Sequence, residues 1–188
     1  MSTPDPSDLD FTTLVEETAP APVVRETPTP AEEEEALIGS RHLGAEGFHM
    51  IAARRSTSVA PAADPSTQVV LVVDDDLPTA ELAARVLRRA GYQAAVVGNP
   101  RDAARHMTKL GPPALVLLDV EMPGMGGFDF LARMRGNKYL KDTPVILFTA
   151  LSERRHIVRG LLAGADGYIA KPISASALVA AVKTVLQP

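Results

Sequence analysis

At 188 residues and 46% hydrophobic content, the chain is large enough to bury one ordinary core and to carry something besides. It has no cysteine, so a disulfide framework, a thiolate metal site and a cysteine nucleophile are all excluded. The net charge of −4 divides unevenly, with 12 acids against 4 bases in residues 1–67 and 11 against 15 in residues 68–188, and the second part, without a basic cluster and poor in aromatics, gives little support for nucleic-acid binding.

Residues 1–30 contain six prolines among Ser, Thr and acids, and their only apolar patch is DFTTLVEE. Such a composition buries too little apolar surface to offset chain entropy, so the extension is expected to be disordered. It lacks the basic start and apolar core of a signal peptide, and no apolar run reaches the roughly 18 residues of a membrane span, which points to a cytoplasmic protein with no membrane association. From Glu32 to Arg55 the stretch EEEEALIGSRHLGAEGFHMIAARR places acids first and Arg54-Arg55 last, the order a helix dipole prefers. One or two helical turns are the expectation there, because Gly39, Gly44 and Gly47 oppose a long helix. Leu37, Ile38, Phe48, Met50 and Ile51 offer a docking peptide as the alternative to plain linker, and STSVAPAADPST at 56–67 reads as a flexible boundary. The chain therefore divides into an acidic, Pro-rich extension and linker, 1–67, and a folded domain, 68–188.

After Gln68, short apolar runs alternate with longer amphipathic stretches. VVLVV (69–73), QAAVV (93–97), ALVLL (114–118), VILFT (145–149) and GYIA (167–170) read as strands. A first helix over 77–90 places Leu82, Val86 and Leu87 on one stripe and stops at Gly91; a second starts at Asn99-Pro100, a capping residue before a first-turn proline. Further helices fit 128–135, 153–163 and 174–187. On the last of these, Leu178, Val182 and Val185 form the expected core stripe, with Val179 and Leu186 on its flank as candidates for a partner or dimer contact. Five strands alternating with five helices predict an α/β fold, a doubly wound five-stranded parallel sheet with helices on both faces. The near-continuous apolar strands agree, since both faces of such a sheet are covered.

In sheets of this kind the ligand site lies outside the carboxyl ends of the strands. The first strand ends in Asp74-Asp75-Asp76, the third in Asp119 and the fourth in Thr149, and Lys171 follows the fifth by one residue. Carboxylates so clustered repel one another unless a cation joins them, and they supply the hard oxygens that Mg²⁺ takes. A lysine and a hydroxyl beside them suit the oxygens of a phosphoryl group. Asp76 differs in kind: it stands where the helix at Leu77-Pro78 begins and is expected to cap it.

These residues resemble, in their order, the receiver domains of two-component response regulators, in particular the stand-alone chemotaxis type. The resemblance rests on Asp74-Asp75, on Asp119 in LVLLDVEMPGMGGFDFL, on Thr149 in VILFTAL and on Tyr168, Lys171 and Pro172 in GADGYIAKPI, over 121 of 188 residues. It implies the flavodoxin-like receiver fold, with Asp119 as acceptor of a phosphoryl group from a histidine kinase. It further implies Mg²⁺ held by Asp74, Asp75, Asp119 and the backbone carbonyl of Glu121, Lys171 paired with Asp119, Thr149 hydrogen-bonded to the phosphoryl group, Tyr168 as a switch aromatic and a cis Lys171-Pro172 bond. The protein would then be a phosphoacceptor and not an enzyme.

Two features vary on that pattern. Glu121 adds a carboxylate near the acceptor, which is expected to change phosphoryl lifetime, and Gly126 replaces a usual acid, which is expected to loosen the loop before the third helix. Because the sequence ends at Pro188 directly after the fifth helix, the expectation is output by protein contact, with no DNA-binding domain. The contact would use the face of the fourth helix, fifth strand and fifth helix, or the N-terminal tail. A phosphate sink or scaffold without effector is the alternative. A phosphohydrolase with an aspartyl nucleophile is disfavoured, because that class places its nucleophile on the first strand and wants a second Asp where Glu121 stands.

Overall fold

A computed structural model of the chain describes residues 10–16, 40–43, 48–51, 64–172 and 174–186. Seven strands form one sheet: β1 Ser40–Leu43, β2 Phe48–Ile51, β3 Val69–Val73, β4 Gln93–Val97, β5 Leu115–Leu118, β6 Val145–Thr149 and β7 Gly167–Ala170. The helices are α1 Leu77–Arg89, α2 Pro100–Leu110, α3 Gly127–Gly136, α4 Arg154–Leu162 and α5 Ala175–Leu186. Spatial order is β1-β2-β7-β6-β5-β3-β4, and the five strands from β3 onward pair in parallel. This is the doubly wound α/β architecture expected from the sequence, and the strand order reverses at β3, next to β5. A crevice opens there because the connections from adjacent strands leave to opposite faces of the sheet.

Each element has a local cause. β5 and β6 are buried at every residue, as strands covered on both faces must be. Asp76 caps α1 by accepting from the Thr79 amide (3.3 Å) and hydroxyl (2.6 Å), as its position before Leu77-Pro78 leads one to expect. Asn99 caps α2 by accepting from the Asp102 amide (2.9 Å), and Pro100 fills the first turn. Gly91 ends the turn after α1 at φ +97°, a conformation that side chains with a β-carbon resist.

Two apolar layers clothe the sheet. On one face α1 and α5 cover Val70, Val72, Leu117, Ile146 and Ile169; on the other α2, α3 and α4 cover Leu71, Val73, Val116, Leu118 and Leu147. The buried stripe of α1 is Ala80, Ala83, Ala84 and Leu87, whereas Leu82 is 56% exposed, contrary to the stripe read from the sequence. Small side chains bring α1 close to both the sheet and α5, and a larger stripe would hold them apart. On α5 the flank assignment also changes. Leu186 is buried with Leu178, Ala181 and Val182, Val185 packs only partly against them, and Val179 is half-buried, so Leu186 is core and not a contact residue.

Within residues 1–67, four described segments have regular structure, the last a 3-10 turn at Pro65–Thr67. Thr12–Val15 forms a 3-10 turn in which Leu14, and before which Phe11, are 6% and 1% exposed, buried with α2 and α3. β1 and β2 pair antiparallel (Ser40 opposite Ile51), and β2 pairs antiparallel with the outer side of β7 (His49 opposite Tyr168). Strands therefore replace the helical turns expected within 32–55. A glycine-interrupted segment cannot nucleate a helix, whereas the edge of β7 supplies ready partners for its amides and carbonyls. The remaining extension, including Leu37 and Ile38, lies outside the described residues. No helix among the described residues is long and apolar enough to cross a membrane.

Candidate functional site

Asp74 prolongs β3: its amide donates to the Val97 carbonyl of β4 (3.1 Å), so its side chain is delivered at the strand end, where it is 1% exposed. Asp119 follows β5 in the same way, its amide donating to the Val73 carbonyl (2.8 Å), and it is 5% exposed. Asp75, the next residue after Asp74, points outward and is exposed. One carboxylate oxygen from each of Asp74, Asp75 and Asp119 lies within 4.8 Å of the other two. Asp76, by contrast, is spent on α1.

Lys171 reaches this cluster from the end of β7. Its Nζ donates to Asp74 Oδ2 (2.7 Å) and to Asp119 Oδ1 (3.1 Å), and it lies 4.9 Å from the centre of the Phe148 ring. The Lys171 amide donates to the Thr149 carbonyl (2.8 Å), which fastens the residue to the end of β6, and the bond to Pro172 is cis. The other oxygen of Asp119, Oδ2, accepts from the Glu121 amide (2.8 Å), while the Glu121 side chain is exposed.

The electrostatics of the cluster follow from burial. Burial raises the Asp119 carboxyl above its usual range; the Lys171 ammonium opposes the rise, and the Asp74 charge adds to it. For Lys171 burial works downward, but the hydrogen bond to Asp74 and the charges of Asp119 and Asp74 outweigh it and hold the ammonium above its usual range. The resting site is thus a pair of buried carboxylates bridged by one ammonium, with Asp75 beside them on the solvent side.

Thr149 is fully buried at the end of β6, and its hydroxyl accepts from the Leu151 amide (3.4 Å). Tyr168 on β7 is also fully buried, its hydroxyl donating to the Leu151 carbonyl (2.6 Å); burial first, then the charges of Asp119 and Glu121, push the phenol well above its usual range. The residue between them, Leu151, therefore ties Thr149 to Tyr168. Of the seven positions singled out in the sequence, Asp74, Asp75, Asp119 and Lys171 converge directly. Glu121 joins through its amide, and Thr149 and Tyr168 line the adjoining loop.

One residue escaped the sequence reading. A β-carbon on Gly127, the first residue of α3, would run into the carbonyl oxygen of Asp119, and the Gly127 amide donates to the Val120 carbonyl (2.9 Å). Its neighbour Gly126, the position read as loosening the loop, has an ordinary extended backbone (φ −71°) and caps α3 without a side chain. The signal was the doublet itself, two glycines directly before a helix, of which only the second is needed for close approach.

The folded part of the chain is similar to known proteins. The family model described as the response regulator receiver domain matches residues 70–183. The DNA-binding response regulator MtrA of Mycobacterium tuberculosis is 40% identical over 124 residues, which is 66% of this chain and 53% of that protein. The phosphate regulon transcriptional regulatory protein PhoB of Escherichia coli is 38% identical over 118 residues, 63% of this chain and 51% of that protein. The chain thus spans about half the length of the curated relatives it matches. Among solved structures, a putative response regulator from Chloroflexus aurantiacus superposes with a TM-score of 0.61 at 33% identity, covering 64% of this chain and 98% of that one. Chemotaxis protein CheY4 of Vibrio cholerae superposes with a TM-score of 0.59 at 28% identity, covering 63% and 98%.

Proposed function

Given that this chain belongs to the response regulator receiver domain family, we propose that Asp119 accepts a phosphoryl group from a histidine kinase and that the domain signals onward by protein contact. The observation that carries the proposal is the Asp119 carboxylate. It is 5% exposed at the end of β5, bridged by Lys171 and flanked by oxygens of Asp74 and Asp75 within 4.8 Å.

The donor set fits Mg²⁺. Three carboxylates offer hard oxygens, the count is low enough to leave places for water and phosphoryl oxygens, and no soft ligand is among them. Asp74, Asp75 and Asp119 would hold the ion with the Glu121 carbonyl. When bound, it neutralises charge that develops on the transferring group.

The chain's own residues supply the rest. Phosphoryl transfer asks the protein mainly for in-line positioning and charge stabilisation. One oxygen of Asp119 attacks phosphorus, the P–N bond to the kinase histidine breaks, and that nitrogen keeps the bonding pair. The Glu121 amide orients the carboxylate before attack. Lys171 then shifts from Asp119 to a phosphoryl oxygen, and the Thr149 hydroxyl exchanges the long Leu151 contact for another. Because Leu151 also holds the Tyr168 hydroxyl, that exchange reaches β7 and, through it, α4, α5 and the strand β2 paired on its outer edge, the proposed route to an effector.

Incubation with acetyl phosphate and Mg²⁺, read by intact mass, tests the assignment. The wild-type chain is expected to gain one phosphoryl mass and Asp119→Ala none; equal gain by both would reject Asp119. Labelling that saturates at one phosphoryl group per chain, with phosphate released only as fast as the aspartyl phosphate itself hydrolyses, is the result expected of a switch.

A further inference from the structure

The Phe11–Leu14 turn is built into the receiver as a ligand would be. Phe11 is 1% and Leu14 6% exposed, and both belong to the apolar cluster on the α2 and α3 side of the sheet. The Phe11 ring meets Tyr139 edge-on at 6.5 Å. Polar groups fix the backbone at both ends: the Phe11 amide donates to Thr108 Oγ1 of α2 (2.8 Å), and Arg133 of α3 donates through Nη1 to the carbonyls of Leu14 (3.0 Å) and Glu16 (2.8 Å). The turn also closes on itself, with the Thr12 amide and hydroxyl donating to Asp10 Oδ1 (2.9 and 2.6 Å) and the Leu14 amide to the Phe11 carbonyl (3.0 Å).

Two apolar anchors three residues apart on a preformed turn, with side-chain and backbone caps at each end, are the parts of a short-peptide recognition site. From these contacts we infer that the α2–α3 face is a separable peptide-docking groove. Its ligand is an aromatic-x-x-leucine turn, occupied in cis by residues 10–16 of this same chain. The 23 residues between Glu16 and Ser40, where β1 begins, tether the turn to the sheet of the domain it binds. A tether of that length keeps its effective concentration far above that of a free peptide, so the groove is filled in the intact chain and closed to competing segments. The groove lies on the opposite face of the sheet from α1 and α5 and uses none of Asp74, Asp119 or Lys171.

The test is a peptide titration. A fluorescent synthetic peptide of residues 8–18 is added to the full-length chain and to its Phe11→Ala/Leu14→Ala variant, and anisotropy is read. Saturable binding to the variant, at least about tenfold tighter than to the wild type, is expected because only the variant has an empty groove. Equal binding to both, or no saturable binding to the variant, overturns the proposal. A second arrangement leaves every side chain in place: a site-specific protease sequence inserted between residues 25 and 26 is cut in the otherwise native chain. Peptide binding should appear after cutting and fall again with Arg133→Gln; its absence after cutting rejects the groove. Sedimentation of the uncut wild type should show a monomer. A dimer that still blocks the peptide would place the turn on a neighbouring copy and overturn the cis assignment.

Discussion

Gly127 packs its α-carbon against the backbone of Asp119, so closely that no β-carbon can stand between them. The first turn of α3 thereby becomes the floor under the acceptor loop, reinforced by the Gly127 amide donating to the Val120 carbonyl (2.9 Å). Gly127→Ala must push either the helix or the loop. We expect a loss of about 1–3 kcal/mol in urea unfolding, typical of overpacking, with slower labelling by acetyl phosphate. Gly126→Ala, whose β-carbon would come no nearer than 3.4 Å to the Val120 carbonyl oxygen, should change neither appreciably.

Asp75 and Asp76 are adjacent acids with different work. Asp75→Asn removes a charge from the three-carboxylate cluster and should weaken Mg²⁺ binding by calorimetry about tenfold or more. Asp76→Ala should leave Mg²⁺ affinity nearly unchanged and lower stability instead, because it deletes the cap on Thr79. The Thr79 hydrogen bonds hold the Asp76 carboxyl below 3.8, so this stabilisation is complete above that pH and disappears as pH falls through the lowered value. Wild type and Asp76→Ala should therefore differ in melting temperature at neutral pH and converge in strong acid. Equal effects of the two substitutions on Mg²⁺ binding would contradict the division.

Asp119 behaves oppositely. Burial raises its carboxyl above 3.8 in spite of Lys171, so folding favours the protonated form. Its contribution to stability is greatest below the unfolded value of 3.8 and is lost as pH rises through the folded one. Asp119→Asn, which cannot ionise, should accordingly melt higher than wild type at neutral pH in Mg²⁺-free buffer, with the gap closing in acid. Added Mg²⁺ should narrow the gap too, since an ion bound only by the native state stabilises it by mass action. A wild type more stable than Asp119→Asn at neutral pH without Mg²⁺ would show that Lys171 outweighs burial.

Away from the site, Arg135 of α3 donates to Asp166 Oδ2 (2.9 Å) and to the carbonyls of Thr143 (2.8 Å) and Gly164 (2.8 Å), and Asp166 accepts in turn from the Val145 amide (2.8 Å). The two side chains are 11% and 10% exposed. Arg135→Met would remove the cation that faces a buried carboxylate, at an expected cost of about 3–5 kcal/mol in chemical denaturation. Adding Asp166→Asn to it should recover part of that loss, because the uncompensated charge is then gone.

The five parallel strands, the five helices and the strand-end residues that meet in one crevice are legible in the chain's local patterns. Apolar runs of strand length, the capping residues Asp76 and Asn99, and the rule that sites form at the carboxyl ends of parallel strands can each be read within a few residues. Whatever depends on the distance between elements is set by packing instead. The buried stripe of α1 is alanine but for Leu87 because α5 lies close by, so Leu82 turns outward although its hydrophobicity argues otherwise. Gly127 matters where Gly126 does not because the Asp119 backbone passes over one and misses the other. Phe11 and Leu14 look, in sequence, like a stray apolar patch in an acidic Pro-rich tail. They are buried because α2 and α3, nearly a hundred residues or more further along the chain, leave a groove with Thr108 and Arg133 at its ends. Local composition measures how well a segment can bury itself; it carries no information about a surface that another part of the chain holds ready for it.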